Sequence, residues 1–137
     1  MHEWALAEGV VQTTLETARE NGLRRVSVIR VTVGQLQQIS PAFFQKAIDQ
    51  VIPADEPLLE GLSVTIETEK AACRCRACST EFGVEEALEA LGGDAAESIH
   101  FIPELAQTFM ACPACGSPDY TVERGRGVVL AAVEGET

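Results

Sequence analysis

Apolar residues at Trp4, Ala7, Val11, Leu15 and Ala18 recur at helical spacing, with Leu6 and Val10 widening the stripe. This predicts an amphipathic helix from about Glu3 to Glu20. Asn21-Gly22 is a suitable stop, because glycine tolerates the left-handed conformation at a helix end. From Arg24 to Val33 the pattern changes to that of a strand, with Ile29, Val31 and Val33 on one face and Val26 and Val28 on the other. A strand covered on both faces gives such a pattern, and so does a change of phase through a bulge. Ser40-Pro41 opens a second helix, serine as cap and proline as first helical residue. Its apolar positions are Phe44, Ala47, Ile48 and Val51, and Pro53 and Pro57 end it. Leu62, Val64 and Ile66 alternate with Ser63, Thr65 and Glu67, as in a half-buried strand. A short helix follows on Val84, Ala87, Leu88 and Leu91, closed by Gly92-Gly93. Tyr120 to Glu123 is suited to local pairing. Val128 to Val133 reads as a last strand, apolar enough to be central rather than at an edge.

Composition bounds this picture. A chain of 137 residues accommodates one domain with a small satellite. With 46% hydrophobic but only 5% aromatic residues, the core must be built mainly from Val, Leu, Ile and Ala. No apolar run approaches the roughly 20 residues that span a bilayer. A secretory signal is not expected, since Glu3 and Glu8 interrupt the start and no basic stretch precedes it. The expectation is a soluble, cytoplasmic protein with no membrane partner. A net charge of −11 argues against a nucleic-acid surface, and the ten basic residues are scattered, the closest groupings being Arg24-Arg25, Arg74 with Arg76, and Arg124 with Arg126.

The five cysteines include two C-x-x-C pairs, Cys75-Arg-Ala-Cys78 and Cys112-Pro-Ala-Cys115. Outside an oxidising compartment this pattern reads as metal binding rather than disulfides. Each pair forms a tight knuckle that turns both sulfurs toward one point, and four thiolates suit a tetrahedral Zn(II). Pro113 stiffens the second knuckle and Gly116 permits the positive φ that often follows one. A closed four-sulfur site leaves no open coordination position, so its role is structural, and metal binding supplies folding free energy to a lobe short of apolar residues. Iron in the same site, or a redox-active dithiol, is the alternative. The surplus Cys73 is either a free thiol facing away from the metal or a ligand in a shifted register. The predicted fold is α+β. A small three-stranded sheet with two helices occupies residues 1–72 and 117–137, and a zinc-ribbon-like lobe, residues 73–116, is inserted between its second and third strands.

The N-terminus carries a second candidate site. Histidine after the initiator methionine brings the Met1 amine, a backbone amide nitrogen and the His2 imidazole within one chelate's reach. Such nitrogen donors select planar Ni(II) or Cu(II) over Zn(II), which prefers tetrahedral, sulfur-rich sites. Proton competition for the imidazole, with a reference pKa of about 6.5, weakens such a site in mild acid. The other histidine, His100, sits in the segment Ser98-Ile99-His100-Phe101-Ile102-Pro103-Glu104. It is either a packed, hydrogen-bonded residue or a distal ligand that closes a four-nitrogen plane. No nucleophile–base pair, phosphate-binding glycine loop or open zinc position is present, which argues against an enzyme. A zinc-ribbon interaction module without nickel delivery would explain the two knuckles but not the N-terminus.

Met1-His2-Glu3-Trp4-Ala5-Leu6-Ala7, with Cys75-x-x-Cys78 and Cys112-Pro-x-Cys115-Gly116, resembles the HypA/HybF family of nickel metallochaperones for hydrogenase maturation. The likeness extends to Val33-Gly34-Gln35-Leu36 and Gly125-Arg126-Gly127. It implies that His2 is the essential nickel ligand, that Glu3 contributes to nickel binding or partner contact, and that the main-chain nitrogens of both are donors. It also implies that Cys75, Cys78, Cys112 and Cys115 hold a structural zinc, with Ni(II) as transient cargo. The long insert with His100 is similar to that of the archaeal-type branch, in which a histidine of this segment reaches the nickel. The implied partners are a nickel-handling nucleotide hydrolase and the immature large subunit of a [NiFe] hydrogenase. The Cys73-Arg74-Cys75 triplet departs from the family pattern. Self-association through an edge strand or the acidic lobe, and a supply of nickel to urease, are left open by the sequence.

Overall fold

The computed structural model describes residues 2–85, 97–98, 100, 102 and 110–137, the side chain of His2 excepted. The chain forms two compact units, one of Met1–Val33, Ile39–Glu67 and Val128–Thr137, the other of Gly34–Gln38 and Thr68–Gly127. Most of the helix expected around residues 84–91 lies outside the described residues.

In the first unit, helix α1 (His2–Glu20) buries the predicted stripe of Ala7, Val10, Val11, Leu15 and Ala18. Thr14 is buried on the same face, and its hydroxyl donates to the Val10 carbonyl at 2.8 Å, which satisfies the one polar group in the stripe. Helix α2 (Pro41–Val51) starts as predicted: Ser40 Oγ accepts from the Phe43 N–H at 3.4 Å, and Phe44, Ala47 and Ile48 are buried. The two helices pack against each other.

Strands β1 (Arg25–Gly34), β2 (Ser63–Glu69) and β6 (Val128–Glu136) form a sheet in the order β2-β1-β6, with β1 and β6 antiparallel. Along β1 the buried residues are Val26, Ile29, Val31, Val33 and Gly34. The step of three from Val26 to Ile29 coincides with a register shift against β6 between Val26 and Val28, and a second shift falls between Arg30 and Val31. The two-faced pattern is therefore a bulge, which returns alternate residues to one buried face.

The last strand corrects an expectation. It lies at an edge of the sheet, and β1 is central. Apolar content misled because Val128, Leu130 and Val133 lean on the core from one face while Val129 stands 57% exposed on the other.

In the second unit, β3 (Ala72–Cys75) lies between β4 (Glu81–Phe82) and β5 (Tyr120–Arg124), antiparallel to both. Cys73, Val84, Met110, Tyr120, Leu36 and Ala71 bury a small apolar cluster, with the Phe82 ring edge-on to Tyr120 at 5.2 Å. This unit extends beyond the predicted 73–116 because β5 pairs with β3 and because Gly34–Gln38 is bonded into it. The Gly34 N–H donates to the Gly127 carbonyl at 2.8 Å and the Leu36 N–H to the Gly125 carbonyl at 2.9 Å. Side chains reinforce the crossing: Gln35 Oε1 accepts from the Ala71 N–H at 2.8 Å and Glu69 Oε1 from the Gly125 N–H at 2.9 Å. A Cβ on Gly125 would lie 2.2 Å from Ala71 Cα, and one on Gly34 would lie 2.4 Å from the Gly125 carbonyl carbon. Both glycine motifs singled out in the sequence thus mark a point where backbones meet too closely for any side chain. No helix among the described residues is long and apolar enough to cross a membrane.

Candidate metal centre

The two C-x-x-C pairs fold into the same local structure. In the first, the Ser79 N–H donates to the Cys75 carbonyl at 2.9 Å and the Cys75 N–H to the Thr80 carbonyl at 2.9 Å. In the second, the Gly116 N–H donates to the Cys112 carbonyl at 2.8 Å and the Cys112 N–H to the Ser117 carbonyl at 2.9 Å. Each turn closes through a residue with positive φ, +64° at Ser79 and +75° at Gly116. The expectation for Gly116 is met; its serine counterpart was not foreseen, because the left-handed region disfavours residues with a Cβ.

These turns bring together the sulfurs of Cys75, Cys78, Cys112 and Cys115, all within 4.8 Å of one another. Cys75 and Cys115 are separated by 3.5 Å between sulfurs, Cys78 and Cys112 by 3.7 Å. A metal–sulfur bond of about 2.3 Å gives a tetrahedron with edges of about 3.8 Å, so the donor set fits Zn(II) in size as well as in chemistry. Arg76 spans the two knuckle regions, its N–H donating to the Asp119 carbonyl at 2.9 Å and Nη1 to Asp119 Oδ1 at 3.1 Å.

Electrostatics within the cluster favour a cation. The Thr80 hydroxyl, 3.2 Å from Cys78 Sγ, and the Thr80 backbone pull the Cys78 thiol down to about 6. At Cys115 the Ser117 backbone favours the thiolate, but the Cys75 sulfur, desolvation and the sulfurs of Cys78 and Cys112 outweigh it and push the thiol up to about 12. One thiolate thus forms readily and the next is opposed by its neighbours. A bound dication removes that opposition, and loading releases protons.

Cys73 does not join the four sulfurs. It is fully buried in the apolar cluster, and burial, with the charge of Glu123 adding, pushes its thiol up to about 11. It packs as a small hydrophobe.

Of the predicted nickel residues, Met1 and the His2 side chain lie outside the described residues. Glu3 is half-buried in the first turn of α1, where a carboxylate complements the positive end of the helix. His100 is half-buried in the second unit, with Nδ1 against the main-chain carbonyl of Gln37. An imidazole that donates from Nδ1 to a carbonyl has its basic lone pair on Nε2, the usual arrangement behind a metal-ligating histidine. Gln37 is buried, and its side-chain Oε1 accepts from the Gly127 N–H at 3.4 Å. Sequence reading missed Thr80, Gln37 and the fixed turn at Ser79. For Ser79 and Thr80 the signal was the parallel between Cys-x-x-Cys-Ser-Thr and Cys-x-x-Cys-Gly-Ser; Gln37 had none.

Residues 1–135 match the family model described as hydrogenase/urease nickel incorporation, metallochaperone, hypA. A hydrogenase maturation factor HypA from Thermococcus sibiricus is 39% identical over 136 residues, covering 99% of this chain and 97% of that protein. One from Pyrococcus horikoshii is 38% identical over 134 residues, with coverage of 98% and 95%. Among solved structures, the solution structure of the Ni metallochaperone HypA from Helicobacter pylori superposes with a TM-score of 0.62 at 16% identity. It covers 98% of this chain and 97% of that one, a likeness of fold.

Proposed function

The chain belongs to the HypA family of nickel-incorporation metallochaperones, and on that premise we propose that it carries Ni(II) in hydrogenase maturation while Zn(II) on Cys75, Cys78, Cys112 and Cys115 holds its second unit in shape. The observation that carries this reading is the family match from residue 1 to residue 135, which takes in the Met-His-Glu start and both knuckles together. Zinc, when bound, supplies a fixed tetrahedral charge and no open position for substrate, so the protein works as a carrier and not as a catalyst.

Nickel is the cargo, and its four proposed planar donors are the Met1 amine, the main-chain nitrogen and imidazole of His2, and His100 Nε2, with Glu3 contributing to nickel binding or partner contact. Helix α1 begins at His2. The first amides of a helix have no acceptor within it, which leaves them available for deprotonation and coordination. The Gln37 carbonyl at Nδ1 supports His100 as the fourth donor by fixing its tautomer. The two metals are sorted by geometry, planar nitrogen for nickel and tetrahedral sulfur for zinc. Working in the cytoplasm, the protein receives nickel from a nucleotide-hydrolysing partner and delivers it to the immature large subunit of a [NiFe] hydrogenase.

The test is metal analysis of untagged protein exposed to equal Ni(II) and Zn(II). About one zinc per chain should survive mild chelation, and about one nickel should bind and be lost on His2→Ala. Nickel binding that is indifferent to His2→Ala and to acetylation of the N-terminus would overturn the reading.

A further inference from the structure

Arg74 stands on β3 between Cys73 and Cys75, and nothing in the four-sulfur reading gives it a role. Its guanidinium donates in three directions: Nε to Glu123 Oε1 on β5 at 2.6 Å, Nη2 to Glu81 Oε2 on β4 at 3.0 Å, and Nη1 to the main-chain carbonyl of Ser79 at 3.2 Å. Glu81 is held in turn by Arg124, whose Nη2 donates to Oε1 at 2.9 Å. These side chains are partly exposed, and ion pairs of that kind add little by themselves.

The contact with Ser79 has a different character. Ser79 closes the first knuckle at φ +64°, where a Cβ is strained, whereas Gly116 closes the second at +75° without that strain. The hydrogen bonds inside the two turns are otherwise alike. The peptides on both sides of Ser79 are therefore gripped: its N–H by the Cys75 carbonyl, its own carbonyl by a charged donor anchored on both neighbouring strands.

We infer that Arg74 is a positioning residue of the metal centre: its clasp holds Ser79 in the left-handed turn that Gly116 adopts unaided, so that Cys75 and Cys78 present their sulfurs to the ion. This rests on the zinc reading above. It makes the first knuckle dependent on salt and on the side chains of Glu81 and Glu123, while the second depends on neither.

The experiment follows zinc transfer from the zinc-loaded, full-length protein to a chromophoric chelator. Arg74→Ala should speed transfer about tenfold, the size of the strain it no longer opposes. Ser79→Gly alone should change the rate less than about twofold, and added to Arg74→Ala it should return transfer close to the wild-type rate. General loosening of the sheet would not be rescued at Ser79. Raising NaCl should speed transfer from the wild type and leave Ser79→Gly nearly unchanged, a comparison that holds even if Arg74→Ala fails to fold. A wild-type rate in Arg74→Ala, absence of rescue, or equal salt dependence in wild type and Ser79→Gly overturns the clasp and leaves the zinc reading intact. A protein that holds no zinc at the start overturns both.

Discussion

Each unit of this molecule is built on a three-stranded sheet whose middle strand is rich in buried residues, yet the two are held by different means. Around β1 the core draws on both helices and both neighbouring strands, with Phe44, Ile29, Ile48 and Val31 fully enclosed. Around β3 the described apolar cluster is confined to Leu36, Ala71, Cys73, Val84, Met110 and Tyr120. What it lacks in apolar area is made up by two glycine crossings, by main-chain N–H groups that donate to the side-chain oxygens of Gln35, Gln37 and Glu69, and by four sulfurs gathered for a metal. Where burial is scarce, fixed backbone and coordination do the holding.

Removing the metal should separate the two most sharply. Cys112→Ser is expected to cost the second unit on the order of 10 kcal/mol of metal-linked stability. Amide resonances of β3, β4 and β5 should collapse toward random-coil positions while those of β1 and α2 persist, and joint melting of both would refute the contrast. Next in size, Phe44→Ala should cost about 3–5 kcal/mol in denaturant unfolding of the first unit, with zinc content unchanged. Loss of zinc in that variant would show that the units share one core. The smallest effect is at alkaline pH. Burial, with Cys73 adding, pushes the Tyr120 hydroxyl from 10.0 up to about 12, so the folded state keeps a proton that the unfolded chain gives up. The contribution of Tyr120 is complete below pH 10 and falls as pH rises from there, by about 1 kcal/mol at pH 11. Tyr120→Phe should flatten that decline for the second unit alone, as followed by the amide resonances of β3 and β5.

The first unit was the more readable in sequence. Both helices follow from the spacing of residues such as Ala7, Val11 and Leu15, and from the Ser40-Pro41 start, because helix signals are local. Strand placement is not local, which is why Val128 to Val133 looked central: its apolar residues are plain in the sequence, but the empty side of β6 is decided by where other strands go. In the metal centre, the four cysteines whose sulfurs gather were evident from their spacing. Arg74, Ser79 and the Gln37 contact to His100 were not, since each depends on a carbonyl supplied by folded backbone. Gly34 and Gly125 stood out as motifs, and only the structure shows that they are points of backbone contact.

The hydrogen bond from the Gly34 N–H to the Gly127 carbonyl bears on how the polypeptide assembles. Val33 pairs with Val128 at the next rung, so the pairing of β1 with β6 closes a loop that contains α2, β2 and the second unit's residues from Gly34 to Gly127. Closing so distant a pair in an open chain carries a loop entropy that folding of Thr68–Gly127 lowers by shortening the open loop. Metal uptake by the nascent chain should thus set the pace at which β1 finds β6.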